Sequence, residues 1–306
     1  MGEGEGDVDV EGAGAGEAPG DIAGTHDLAG KTIVITGASS GIGRSAATSL
    51  AAQGAEVAVV GRNEQRTTDI ARRIGATAFV ADFDSFADVR RLADALLNRY
   101  ERIDVLANNA GGLVKKRALT EDGNERTIQS NHLSPFLLTS LLLPRLRENA
   151  KESPVRIIAT ASAGNRFGRI RLADLDRRNS AWLGGWLAYC TAKLANIVNT
   201  RELAARTEGS GIEAYAFHPG FVASSFAADT GLMRVATLAG NGHLGASPEV
   251  GAAPLVHLAS VESTGSPSGT YFDGFTPNGR TSPQAGDPTL AARLWSLSER
   301  ITGSEQ

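Results

Sequence analysis

The short β-branched run Lys31-Thr32-Ile33-Val34-Ile35-Thr36 leads straight into Gly37-Ala38-Ser39-Ser40-Gly41-Ile42-Gly43, and a helical stretch follows from Ile42 to Gln53. This order, strand then glycines then helix, constrains the chain more than any other feature. Glycines permit a tight turn and let a ligand approach the backbone closely. A helix that starts there presents amide donors and the positive end of its dipole to an anion. The spacings of four and two differ from the G-x-G-x-x-G of the commonest dinucleotide fingerprint. The physics is shared, so Gly37, Ser39, Ser40, Gly41, Ile42 and Gly43 are candidates for holding a pyrophosphate. The competing reading is a simple strand-to-helix turn.

The alternation continues. Strands are predicted at 56–60, 77–80, 103–107, 155–159, 212–217 and near 270–272. Helices are predicted at 63–74, 85–98, 121–128, 133–148, 186–207 and near 248–259. Strands alternating with helices of this length imply right-handed βαβ units and a buried parallel sheet. The expected fold class is α/β: one Rossmann-type, doubly wound parallel sheet of about seven strands with helices on both faces. It forms a single domain over 27–303. Residues 1–26 alternate Gly, Ala and acids and read as a disordered acidic tail. The first 30 residues hold eight acids and no Lys or Arg, so the formal net charge of −4 hides a nearly neutral body at +4. That balance gives no argument for nucleic-acid binding. The single Cys, Cys190, excludes a disulfide framework and reads as a small buried filler. No apolar run approaches the ~20 residues of a membrane span, and no signal peptide is visible, so the expected compartment is the cytoplasm. Hydrolase and metalloenzyme readings find no support, and H-E-x-x-H is absent.

The second strand ends Val60-Gly61-Arg62-Asn63. An NAD enzyme usually places an acid there for the ribose hydroxyls. Arg62 suits a 2′-phosphate instead and can stack on adenine. The expected cofactor is therefore NADP(H), with NAD(H) as the alternative. Arg44 would assist, Glu64 argues the other way, and a solvated loop cation is the bland reading of Arg62.

Further motifs follow in order: Asn108-Asn109-Ala110-Gly111, Asn131-His132-Leu133-Ser134-Pro135-Phe136, Ser162 after the fifth strand, Tyr189-Cys190-Thr191-Ala192-Lys193, and His218-Pro219-Gly220-Phe221-Val222-Ala223-Ser224. With them the chain resembles the short-chain dehydrogenase/reductase family from about Leu28 to Gly303. Thr120-Glu121-Asp122-Gly123, Lys193-Leu194-Ala195-Asn196 and Leu294-Trp295-Ser296-Leu297-Ser298-Glu299 look like its retinol dehydrogenase-like and protochlorophyllide reductase-like branch. Ser134 and Ala192 depart from the family, which often has Gly and Ser there. Thr160-Ala161-Ser162 replaces a common pair of serines.

The resemblance implies a catalytic set of Asn131, Ser162, Tyr189 and Lys193 for interconverting a carbonyl and its alcohol. Tyr189 would exchange the proton, Ser162 would hold the substrate oxygen, and Asn131 would hold a relay water. Lys193 would bind the nicotinamide ribose. It lies one helical turn after Tyr189, on the same face, and its ammonium is expected to favour the phenolate. Asn109, Ala110 and Gly111 would line the cofactor channel, and Asp82 would reach the adenine. Pro219, Gly220, Val222 and Ser224 would hold the carboxamide. His218 reads as structural. Trp182 and Trp186 read equally as substrate walls or core. Segment 221–247, with Phe221, Phe226, Leu232, Met233 and Leu238, suggests an apolar lid for a lipophilic small-molecule substrate. Arg166 and Arg169 leave an anionic one open. Relatives of this kind pair as homodimers or homotetramers through the Asn131 and Tyr189 helices; core burial explains the apolar run 137–146 equally well. The alternatives carried forward are a cofactor-binding regulatory protein without turnover, an epimerase, and a carbon–carbon double-bond reductase.

Overall fold

The computed structural model describes residues 26–220 and 247–305. Most of the acidic tail and all of 221–246, including Val222, Ser224 and the lid residues, lie outside the described residues.

The elements run in alternation. Strand β1 is Thr32–Thr36, then α1 Gly41–Ala52, β2 Glu56–Gly61, α2 Glu64–Ile74, β3 Thr77–Val80, α3 Phe86–Arg99 and β4 Val105–Asn108. Next come α4 Arg126–Ile128, a π-turn Gln129–Leu133, α5 Ser134–Ala150, β5 Val155–Thr160, α6 Trp186–Arg206 and β6 Ile212–His218. The last part holds α7 Pro248–Ser260, β7 Tyr271–Asp273, β8 Thr276–Pro277 and α8 Pro288–Thr302. They build one sheet of order β3-β2-β1-β4-β5-β6-β7-β8. Every pairing is parallel except the last, β7 with β8. The sheet thus has eight strands where about seven were expected. The extra one is a two-residue antiparallel edge, too short to leave a periodic signal.

Alternate residues of each strand serve opposite faces. Ile33, Ile35, Val57 and Val59 pack with α1, α2 and α7. Val34, Ala58 and Leu106 pack with α3, α5, α6 and α8. The run on α5 belongs to that second core, with Leu137, Leu138, Leu142 and Leu146 all fully buried within this one chain. Strand order reverses beside β1, where β2 lies on one side and β4 on the other. That switch point opens a crevice at the carboxyl ends of both, the usual ligand position in open α/β sheets.

Two local expectations are corrected. The helix predicted over 121–128 starts only at Arg126. Gly123 takes a positive φ of 80°, and Asp122 leaves the helix pattern to accept from the Phe86 amide at 2.9 Å. The buried Glu125 then caps the Thr127 and Ile128 amides. In addition, α8 was not predicted, although Asp287-Pro288 is a helix start: the Asp287 carboxylate accepts from the amides of Thr289 and Leu290.

Candidate active site

The glycine loop is built around close packing. A Cβ on Gly43 would lie 2.5 Å from the Gly37 carbonyl oxygen and 2.6 Å from Asn109 Nδ2. A Cβ on Gly61, at the end of β2, would lie 2.8 Å from Ser39 Cβ. These glycines let α1 and Ser39 sit tight on the strand ends. Gly41 differs: it takes a φ of 54° and a Cβ there would face open space. Ser40 occupies the N-cap of α1 in an extended conformation, and no side chain caps the helix start. The loop spells G-x-S-x-G, the spacing of a hydrolase nucleophile turn, which weakens the sequence argument against a hydrolase. Ser39 packs against Gly61, however.

Asn109 and Ala110 are tied to the neighbouring strand ends. The Asn109 side chain donates to the Thr36 carbonyl at 2.9 Å and accepts from the Thr160 hydroxyl at 3.2 Å. The amides of Asn109 and Ala110 both donate to Thr36 Oγ1. These residues therefore tie the ends of β1, β4 and β5 together. Gly111 has a φ of 145°, and a Cβ there would lie 2.4 Å from Asn131 Oδ1.

Asn131 is fully buried in the π-turn. Its Oδ1 accepts from the Gly112 amide at 2.9 Å, and its Nδ2 donates to the carbonyls of Gly112 and Thr127 at 3.0 and 2.8 Å. It is a staple between the loop after β4 and the α4 turn. Ser134, the departure from the family pattern, places its hydroxyl on the Phe83 carbonyl at 2.6 Å.

Ser162, Tyr189 and Lys193 come together beyond β5. Ser162 leads a 3₁₀ turn, accepting from the Gly164 amide, and is hydrogen bonded to the Tyr189 hydroxyl. Lys193 Nζ lies 5.6 Å from the Tyr189 ring centroid and donates to the Thr160 carbonyl at 2.9 Å. Trp186 stacks on Tyr189 with centroids 6.0 Å apart at 27°, so it walls the site. Trp182 instead donates to the Lys115 carbonyl and lies under Arg117.

Burial governs the ionisation here. It pushes Tyr189 up to about 12, with the Ser162 hydrogen bond opposing. It lowers Lys193 to about 8 and raises the Cys190 thiol to about 12. Burial disfavours the charged form of both Tyr189 and Lys193 in the protein without its cofactor.

At the other end of the crevice, Arg62 stands at the mouth with its guanidinium 3.4 Å from Asp84 and 3.8 Å from Asp82. Asp84 also pairs with Arg126 at 2.5 Å, and burial raises its carboxyl. Arg62 and Asp82 are thus brought together beyond the ends of β2 and β3. The partners Asp84 and Arg126 carried no motif and were missed. Pro219 and Gly220 end the described part of the loop after β6, and Gly220 has a φ of 79°.

A sheet of this order, with a glycine loop at its switch point and a Ser–Tyr–Lys cluster beyond the next strands, its Tyr and Lys buried, defines a dinucleotide-dependent oxidoreductase. Comparison with known proteins makes the class specific. The short chain dehydrogenase family model matches residues 31–174. Human retinol dehydrogenase 13 is 35% identical over 292 residues, covering 91% of this chain and 86% of its own. A Streptomyces sp. (strain C5) protein provisionally named daunorubicin C-13 ketoreductase DnrU is 39% identical over 285 residues, covering 90% and 94%. The structure of Pseudomonas aeruginosa RhlG in an active-site complex with NADP aligns at a TM-score of 0.65 and 31% identity, covering 81% of this chain and 95% of that one.

The chain belongs to the short-chain dehydrogenase/reductase family and is retinol dehydrogenase-like. It is an oxidoreductase acting on CH–OH and C=O groups with a nicotinamide cofactor. The residues present fit that cofactor. The uncapped start of α1 and the open face of Gly41 suit a pyrophosphate. The Lys193 ammonium has a backbone carbonyl as its hydrogen-bond partner and no carboxylate among the described residues, which suits ribose hydroxyls. No helix of the described residues is long and apolar enough to cross a membrane.

Proposed function

We propose that this enzyme interconverts a lipophilic aldehyde or ketone and its alcohol using NADP(H), with Tyr189 as general acid and base. The observation that carries the reading is the hydrogen-bonded Ser162–Tyr189 pair, with Tyr189 and Lys193 buried side by side. When bound, the nicotinamide cofactor supplies or accepts the hydride. In reduction, the Tyr189 hydroxyl donates its proton to the carbonyl oxygen as charge develops there. Ser162 supplies a second hydrogen bond to the same oxygen. Lys193 binds ribose hydroxyls and restores the proton to Tyr189, and Asn131 holds the backbone through which that relay reaches solvent. Asn109, Ala110, Gly111, Asp82, Pro219 and Gly220 line or brace the cofactor cleft.

NADP(H) is favoured because Arg62 ends β2 where an NAD enzyme usually carries an acid. The likeness to RhlG, whose structure holds NADP, supports the same choice. A lipophilic substrate is favoured because Phe167, Leu183 and Trp186 remain exposed on the 3₁₀ turns and the helix start flanking Tyr189. Exposed large apolar side chains close to a reactive group suit an apolar ligand. The relatives' names, a retinol dehydrogenase and a daunorubicin C-13 ketoreductase, agree in naming an alcohol or ketone group as the reacting one.

The test is oxidation of NADPH and NADH, side by side, over aliphatic aldehydes, aromatic ketones, retinoids and steroids. Tyr189→Phe should lower turnover by roughly 10²–10⁴-fold while cofactor still binds. A Tyr189→Phe protein with full turnover would refute the mechanism. Product analysis with a labelled substrate separates carbonyl reduction from epimerisation and double-bond reduction.

A further inference from the structure

Asn165 is fully buried in the 3₁₀ turn that follows Ser162, and both ends of its carboxamide are used. Nδ2 donates to the Ser162 carbonyl at 2.9 Å and to the Tyr271 hydroxyl on β7 at 3.4 Å. Oδ1 accepts from the Ser282 amide, in the loop between β8 and α8, at 3.1 Å. The carboxamide fits only one way round, because the Ser282 N–H can meet only the oxygen and the Ser162 carbonyl only the NH₂. The Asn165 main-chain amide donates to the same Ser162 carbonyl at 2.9 Å. Ser162 is held on its other side as well: its Oγ accepts from the Gly164 amide at 3.1 Å. A Cβ on Gly164 would lie 3.2 Å from Cys190 Sγ and 3.4 Å from both Ser162 Oγ and the Trp186 ring, so the turn fits closely against α6.

We propose that Asn165 is a positioning residue for Ser162: its buried carboxamide ties the Ser162 main chain to β7 and to the loop before α8, and so holds Ser162 Oγ beside the Tyr189 hydroxyl. Asn165 acts through Ser162 and donates to no reacting atom. Two of its three anchors lie 106 and 117 residues further along the chain, so the place of the serine is set by parts of the fold far from its own strand in sequence. Without the carboxamide, the Ser282 amide and the Tyr271 hydroxyl lose a buried partner, and the Ser162 carbonyl keeps only the bond of the turn. A serine free to drift loses its alignment with the charge that develops on the substrate oxygen, and a misplacement of about 1 Å costs on the order of 10²-fold in rate.

The inference rests on the proposed role of Ser162, and the test separates the two. Asn165→Ala is made in the parent and in Ser162→Ala, in the full chain, and turnover is measured with NADPH and the best carbonyl substrate of the screening panel. Asn165→Ala should lower kcat by about 10–100-fold in the parent, with the KM for NADPH unchanged. It should have no further effect in Ser162→Ala, where the group it positions is gone. An equal loss in both backgrounds marks a general structural role and overturns the inference. The four tyrosines, Tyr100, Tyr189, Tyr215 and Tyr271, give a second readout that needs no substrate. With [ζ-¹³C]tyrosine in the cofactor-free chain, the signals are assigned by Tyr189→Phe and Tyr271→Phe. Asn165→Ala should move the Tyr271 signal in both backgrounds, because that hydroxyl loses its donor, and the Tyr189 signal only where Ser162 is present. A Tyr189 signal unmoved in the parent background overturns the inference. Ser282→Pro covers the case that Asn165→Ala does not fold. Ser282 has a φ of −57°, which proline adopts, and the change removes the amide from which Oδ1 accepts. It should give the same pattern in kcat and in the Tyr189 signal at smaller amplitude; a parent-like kcat and Tyr189 signal would count against the clamp in the same way. If Ser162→Ala itself leaves kcat unchanged, the catalytic reading of Ser162 fails, and the tyrosine signals still decide the clamp.

Discussion

Replacing Lys193 by Met should stabilise the cofactor-free protein while destroying its catalysis. Lys193 is 3% exposed. Burial depresses it from the ordinary lysine value of 10.5 to about 8. At 1.36 kcal/mol per pH unit, that depression means the ionised side chain costs the fold roughly 3 kcal/mol. The sign follows from proton linkage. Below pH 8 the folded and unfolded chains both carry the ammonium, and the cost is present in full. Between 8 and 10.5 the unfolded chain binds the extra proton, so stability rises with pH relative to a chain lacking the group. Met matches the length and apolar stem of Lys without the charge. The variant should therefore gain about 2–3 kcal/mol at neutral pH, less whatever the Thr160 carbonyl loses. The gain should fall below about 1 kcal/mol near pH 10. Urea unfolding followed by tryptophan fluorescence, for both proteins at the two pH values, measures it. A variant no more stable than the parent at neutral pH, or a gain independent of pH, would refute the reasoning that this ammonium is held against solvation for function's sake.

Arg62→Ala should weaken NADP(H) binding by about 10–100-fold, the worth of a charge-assisted hydrogen bond, and leave NAD(H) binding unchanged; equal losses for both, by fluorescence titration, would remove Arg62 from the 2′-phosphate. Gly43→Val should cost roughly 1–3 kcal/mol, because its Cβ would strike the Gly37 carbonyl at 2.5 Å; a native unfolding midpoint would show that the loop yields. With Tyr189 pushed up to about 12, the phenolate is scarce near neutrality. Alcohol oxidation should therefore climb with pH through the neutral range, while carbonyl reduction, which uses the protonated form, stays flat there. Parallel pH profiles in the two directions would contradict this.

Much of this site was legible because its parts are local. The glycine loop, the Asn108–Gly111 run and the Tyr189–Lys193 pair each declare an element and a position on it, and the βαβ order then brings them to one edge of the sheet. What stayed hidden is what depends on packing across elements. Asn109 reads as a channel residue in sequence, and its amide is spent on Thr36 and Thr160, because three parallel strands end together and their last polar groups need partners. Arg62 was visible as a cation, but Asp84 and Arg126, which compete for it or for its partner, come from two other loops. The 121–128 segment follows helical periodicity and fails as a helix because Asp122 has a better use at the start of α3. The ionisation of the Tyr189–Lys193 pair shows the same limit most sharply. Spacing puts the two groups on one face, and spacing alone argues for mutual stabilisation. Only the three-dimensional enclosure, with Trp186 stacked over the ring and Lys193 tied back to Thr160, reveals that the pair is buried deeply enough for desolvation to disfavour both charged forms in the protein without its cofactor. The resting protein thus holds a protonated tyrosine beside a weakened ammonium, a pairing suited to giving a proton up, and one in which ligand charge arriving in the cleft has the most leverage.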